Sequence, residues 1–410
     1  MGLVIRIIMF IVLLFLIEFY FLKKTTKTVQ FIYPSLTNKK IKLYRNIILV
    51  LFNLYPLFVI ALWTYQIIAR PVGFRFPEGK FLDYSLIYPF WFYIILTVQC
   101  DLLFLIVDVI KLILFPVYKK FKTKILPYES RLFFIVIVFF TAYVPLRMFY
   151  DYNTIKVRET VYHRKDIPEE LNNFRIVFIS DIHADRYTDR KRISKLARDV
   201  NSQNPDLVLI GGDFISSGPE YIDTSAIYLG KINSKYGIYS CVGDHDNWAY
   251  RNDNARSRRE ITEALAKQNI FMYDDERRTL LIDTTRIGIT FATETYPKRI
   301  RPSELDSLVN HSASENDLNI MLVHQPRQIV IDEAVKKHYD LILAGHTHGG
   351  QVTFLFPFIN LTPTLIETNR IKGDFYFGKT MMVVTPGLGM SIAPVRYNST
   401  PEVTVIDIKK

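Results

Sequence analysis

The chain has 410 residues, with 51 Lys and Arg against 40 Asp and Glu, a net charge of +11. Residues 1–150 hold 18 of those cations and 6 of the anions, so the excess lies among long apolar runs and residues 151–410 come to −1. This excludes a basic nucleic-acid-binding face on the later part, and 410 residues are more than one core usually supports.

Four stretches reach the ~20 residues that a bilayer crossing needs, over residues 3–22, 46–68, 86–115 and 132–149. The first lacks both a basic leader and a small-residue cleavage site, and so reads as a retained helix. Lys23, Lys24, Lys39 and Lys40 crowd the first loop, and Lys119, Lys120, Lys122 and Lys124 the third. The positive-inside rule puts these loops in the cytoplasm, and both termini with residues 151–410 outside it. The third stretch carries Gln99, Asp101, Asp108 and Lys111. Two readings stand: a proton or ligand pathway, or an Asp108–Lys111 pair with Asp101 near the bilayer edge. Two cysteines, Cys100 and Cys241, make no disulfide framework.

After residue 150, β-rich runs alternate with helical ones. Strands are expected at 155–161, 174–180, 207–210, 238–242, 320–323, 341–344, 381–385 and 403–408, with a helix at 191–201. That alternation predicts an α/β layered domain over residues 151–410, behind a four-helix transmembrane region over residues 1–150. Strand after strand ends in metal-type ligands: Asp181 and His183, then Gly212-Asp213, then Gly243-Asp244-His245-Asp246, then His324, then His346 and His348. Asp181 and His183 are two apart in extended chain and leave on the same side, a geometry that His346 and His348 repeat. Five of the eight histidines fall in these motifs. The apolar run 354–359, broken by Pro357, reads as a loop that either offers an apolar patch beside the ligands or folds into the core.

In this order and spacing the motifs resemble the calcineurin-like metallophosphoesterase superfamily, from about Ile155 to Ile408. The supporting segments are FRIVFISDIH at 174–183, DLILAGHTHGGQ at 340–351 and the PVRYNSTPEVTV tail. They are most similar to a membrane-associated bacterial branch of phosphodiesterases and UDP-diacylglucosamine pyrophosphatases. The resemblance implies a four-layer αββα sandwich with two divalent metal ions, of the Mn, Fe or Zn type given mixed oxygen and imidazole ligands. Asp181, His183 and His348 would hold the first and Asp213 would bridge. Asp244, His324 and His346 would complete the second. His245 would lie outside both shells, as general acid or phosphoryl stabiliser, with Asp246 orienting it. One departure stands out, because the family places Asn where this chain has Asp244. A carboxylate adds charge and removes a donor, so tighter metal binding and weaker attraction for an anionic substrate are expected. The implied protein is a membrane-anchored phosphoesterase cleaving a phosphodiester or pyrophosphate bond, with a lipid-linked substrate in view. A phosphomonoester or protein phosphatase and a non-catalytic metal-binding regulator are the alternatives. Its expected partners are the bilayer and the phosphoester substrate.

Overall fold

The computed structural model describes residues 2–69, 77–250, 253–309 and 315–410. The chain forms two compact units, Met1–Phe149 with Phe354–Leu361, and Tyr150–Thr353 with Thr362–Lys410.

The first unit is built on helices α1 (Gly2–Ile32) and α2 (Asn38–Ala69). A short turn α3 (Lys80–Leu82) continues through a π-helical turn, Asp83–Ile87, into α4 (Tyr88–Ile113), and α5 spans Phe115–Asn153. Among the described residues, three stretches are long and apolar enough to cross a membrane: Asn38–Gln66, Lys80–Ile113 and Phe115–Asn153. The first expected span, 3–22, falls on α1, where the side chains of residues 1–8 and 10 lie outside the described set. The expected third loop is corrected to helix. Its Lys, Leu, Phe and Tyr residues include no glycine, and α5 runs on through Pro127.

Within α4, Asp108 pairs with Lys111 and with Lys24 of α1, each at 2.6 Å, and accepts from the Tyr20 hydroxyl at 2.8 Å. Asp101 lies mid-helix rather than near an end, since α4 begins only at Tyr88. It is buried, and neither of its oxygens has a hydrogen-bond partner among the described residues. Gln99 has an unexpected task. The run 354–359 is not a loop but the start of a hairpin, β10 (Phe354–Phe356) and β11 (Ile359–Leu361). The buried Gln99 amide donates to Leu355 O and accepts from Leu355 N, both at 2.8 Å. The side chain thus meets both backbone groups that an edge strand would leave unpaired. At the hairpin tip Phe358 has a φ of 68° and is fully exposed.

In the second unit, one six-stranded sheet has the order β1-β14-β2-β3-β4-β5. Its strands are β1 (Lys156–His163), β2 (Arg175–Ile179), β3 (Leu207–Ile210), β4 (Ile238–Cys241), β5 (Ile270–Tyr273) and β14 (Glu402–Lys409). The other has the order β12-β13-β9-β8-β7-β6. It comprises β6 (Glu276–Ile282), β7 (Thr285–Ala292), β8 (Leu318–Val323), β9 (Leu341–Ala344), β12 (Gly373–Phe377) and β13 (Thr380–Val384). The period of two along β2 sorts its side chains between layers. Ile176 and Phe178 enter the core between the sheets, with Leu209, Ile289, Leu322 and Leu343. Val177 and Ile179 face the opposite way, into a cluster with Ile193 and Leu196 of α6 (Arg190–Asn201), Ala226 of α7 (Ile222–Leu229) and Ile261 of α8 (Asn254–Ala266). On the second sheet Met321, Val323 and Ile342 pack with Leu305 of α9 (Pro302–Val309) and Val330 of α10 (Gln328–Lys336). Helix, sheet, sheet, helix is the resulting stack. β2, β3 and β4 run parallel, as do β8 and β9. Their carboxyl ends are where ligands assemble in such sheets.

Candidate metal centre

Each of those five strand ends is followed by site residues: β2 by Asp181 and His183, β3 by Asp213, β4 by Asp244 and His245, β8 by His324, β9 by His346 and His348. The backbone turns abruptly there. Asp181, His183, Asp213, His346 and His348 all have φ between 47° and 68°. A residue with a Cβ in this left-handed region costs roughly 1–2 kcal/mol, and such strain gathers at functional sites. Glycines let the loops touch. A Cβ on Gly243 would lie 2.2 Å from Asp213 Oδ1, and one on Gly345 2.5 Å from Asp181 Oδ2.

All seven expected ligands come together. Asp181, His183 and His348 bring ligand atoms within 4.8 Å of one another, and so do Asp244, His324 and His346. Asp213 stands between the groups, its Oδ2 3.1 Å from His183 Nε2 and 3.3 Å from His324 Nε2. Both of those nitrogens are buried and lack an aligned hydrogen-bond partner among the described residues. Buried imidazole nitrogens left unpartnered beside carboxylate oxygens form a donor set that fits a divalent cation.

Electrostatics point the same way. Burial alone would raise Asp213 and Asp244, but His324 with its neighbouring imidazoles holds both well below the usual carboxylate range. Burial would lower His324 and His346, yet the facing carboxylates raise both. Protons on these imidazoles thus take up the place of a positive charge. His348, by contrast, is pushed well below the ordinary imidazole range by burial and by the charges of His183 and Arg396, which leaves it neutral and fit to ligate.

Outer contacts fix the imidazoles. His324 Nδ1 donates to Gly211 O at 2.7 Å. His346 turns Nδ1 to Asp244 Oδ2 at 2.9 Å and Nε2 to Glu367 Oε2 at 3.1 Å, and the Tyr296 hydroxyl donates to the other Glu367 oxygen. The fully buried Arg396 donates to the carbonyls of His348, Pro386, Gly389 and Ser399, which ties down the loop carrying His348. These are the partners that set ring orientation around a metal.

Asp244 is more than a charged version of Asn. Its Oδ1 accepts from Tyr296 N at 2.5 Å and its Oδ2 from Gln325 Nε2 at 2.6 Å. Gln325 is held in that sense because its oxygen accepts from Arg327 Nε at 2.5 Å and Arg299 Nη1 at 3.3 Å. An Asn at 244 would set an amide N–H against one of these donors.

His245 packs its ring 4.4 Å from that of His183 and 4.5 Å from that of Trp248. Its Nδ1 donates to the Ser216 carbonyl, leaving Nε2 on the open side, 3.4 Å from Ser391 Oγ. Burial and the His183 charge push its pKa down to about 4. Asp246 does not orient it. The Asp246 carboxylate accepts instead from the backbone N–H groups of Asp213 (3.0 Å), Phe214 (2.8 Å) and Gly243 (2.8 Å). A 3-10 turn over His245–Asn247 carries residues 245 and 246 to different sides, and the Ser216 carbonyl does the orienting. Gln325 and Arg396 lie inside motifs visible in the sequence; Glu367 and Ser216 have no local signal.

Residues 174–350 match the family model for calcineurin-like phosphoesterases. An uncharacterized metallophosphoesterase of Campylobacter jejuni is 27% identical over 307 residues, covering 74% of this chain and 76% of the relative. A transmembrane protein with metallophosphoesterase domain from Danio rerio is 30% identical over 256 residues, covering 60% of this chain and 55% of the relative. Phosphodiesterase YaeI of Escherichia coli is 27% identical over 241 residues, covering 57% of this chain and 82% of the relative. The matched segment runs through every expected ligand, so residues 174–350 of the second unit are similar to the calcineurin-like phosphoesterases, and the first unit has helices long and apolar enough to cross a membrane.

Proposed function

We propose that the chain is a membrane-anchored, two-metal phosphoesterase that cleaves a phosphodiester or pyrophosphate bond, with lipid-linked esters as its natural substrates. The observation that carries this reading is the convergence of seven buried or half-buried ligands on two points that share Asp213. Two divalent cations held there would polarise the phosphoryl oxygens and acidify a water for in-line attack. Asp181, His183, His348 and Asp213 would hold one cation; Asp213, Asp244, His324 and His346 the other. His245 has its Nδ1 proton committed to Ser216, so Nε2 is the atom that meets the ester. Its pKa of about 4 leaves Nε2 unprotonated at pH 7, so as a general acid the ring would act only through its minor imidazolium form, and as a neutral ring it would instead position the phosphoryl group. The phosphodiester preference is supported by the name of the Escherichia coli relative. The lipid preference is supported by the apolar, exposed tip of the β10–β11 hairpin in the helical unit, with Phe358 and Ile359. With α1 counted as a fourth span, loop charge puts the catalytic unit on the extracytoplasmic side. A reporter after Lys410 that works only in the cytoplasm would reverse that side.

The test is full-length protein in detergent with added Mn. Bis(p-nitrophenyl) phosphate should be hydrolysed faster than p-nitrophenyl phosphate, and lipid-linked diesters in micelles faster than soluble ones. Asp213→Asn should abolish turnover and lower bound metal. No metal-dependent turnover on any of these esters would overturn the reading.

A further inference from the structure

A cavity of about 590 Å³ opens on the far side of His346, bounded by Gln325, Arg327, Glu367, Asn369 and Arg370. His346 separates it from the ligand cluster, because its Nδ1 faces Asp244 while its Nε2 faces Glu367. The volume lies in the range of small-molecule sites and exceeds what one phosphate fills.

The charges in its wall are unequal. Glu367 has both oxygens engaged, by His346 and by the Tyr296 hydroxyl. Arg327 is positioned through Nε, which donates to Gln325 Oε1, and Gln325 in turn donates to Asp244. That leaves the Arg327 Nη2 group 4.0 Å from Glu367, beyond hydrogen-bond reach. The Arg370 guanidinium lies over the Phe377 ring at 5.2 Å, and no carboxylate pairs with it among the described residues. Two guanidinium forks, one anchored to a metal ligand through a single amide and the other backed by an aromatic ring, face a space beside the reaction centre. Planar forks of this kind match the paired oxygens of a phosphate.

We propose that Arg327 and Arg370 form a subsite for a second phosphate group of the substrate, on the His346 side of the centre. This rests on the phosphoesterase reading and narrows it. The favoured ester carries another anion beyond the phosphate that is cleaved, and the rest of the cavity takes the organic group that bears it.

Two esters with one leaving group make the test: p-nitrophenyl thymidine 5′-phosphate and its 3′-phosphorylated counterpart, with full-length protein in detergent and Mn. The ratio of kcat/KM, doubly over singly phosphorylated, should fall roughly 10–100-fold in the Arg327→Gln, Arg370→Gln double variant, chiefly through KM, as befits charged bidentate contacts. An unchanged ratio, with both esters still turned over, overturns the subsite and leaves the phosphoesterase reading intact. If wild type hydrolyses neither ester with Mn, Fe or Zn, that reading falls and binding decides the subsite. Methylenediphosphonate titrated calorimetrically into EDTA-treated protein should then bind at least about tenfold more weakly to the double variant. Equal affinity, or no binding to wild type, overturns it.

Discussion

Replacing Asp246 with Asn leaves the number of heavy atoms in the side chain unchanged, yet it attacks the joint between two ligand loops. Asp246 Oδ2 receives the N–H groups of Asp213 and Gly243, and Oδ1 that of Phe214. An Asn can keep one oxygen for the first pair, and its amide nitrogen then meets the Phe214 N–H donor to donor. One hydrogen bond to a charged group is lost, about 1.5–3 kcal/mol, and one buried N–H is orphaned, about 1–3 kcal/mol more. The expected destabilisation is about 3–5 kcal/mol. For a domain of this size that lowers the melting temperature by roughly 6–20 °C. Thermal unfolding of the full-length protein in detergent, followed by circular dichroism with bound metal measured in parallel, checks it. Asp246→Asn should melt early and hold less metal at the Asp213 side. A variant that melts with wild type but turns over a hundred times more slowly would refute this clip and restore a direct role beside His245.

The remaining predictions concern the centre itself. His245→Ala should cut turnover roughly 10²–10⁴-fold while sparing metal content, and the loss should shrink for esters with good leaving groups; a uniform loss would point to phosphate positioning instead. Asp244→Asn should weaken the second metal at least about tenfold, since the amide opposes Tyr296 N or Gln325 Nε2, and an unaltered metal titration would show the carboxylate to be dispensable. Glu367→Gln should lower affinity at the same site by about 10–100-fold through loss of ring orientation at His346, with the first site unmoved; equal losses at both sites would sink this assignment.

Much of this centre was legible in the sequence because strand ends, spacing and residue type are local properties. Asp181 with His183, and His346 with His348, announce themselves by a two-residue spacing after apolar runs. The strands β2, β3, β4, β8, β9, β13 and β14 are buried apolar runs and were readable for the same reason. The edge strand β6 was not, because its Glu276-Arg277-Arg278 start carries no apolar run. The partners of the ligands were hidden by sequence distance. Glu367 lies 21 residues beyond His346, and Ser216 lies 29 before His245. Asp246 illustrates the opposite error: adjacency suggested a contact with His245, and a single 3-10 turn removed it. Position 354–359 misled through Pro357, which breaks a long strand but sits comfortably between two three-residue ones.

Five ligands in left-handed backbone carry a further consequence. Each holds a conformation that its own chain does not favour, so the site together stores on the order of 5 kcal/mol, comparable with the whole net stability of many domains. That energy is held by the surrounding loops in the free protein and would be offset by coordination if the proposed cations bind there. Chelation should therefore loosen these five turns before it loosens the sheets, visible as amide exchange rising first at residues 181–183, 213 and 346–348. A centre built this way trades the durability of its empty form for the geometry of its filled one.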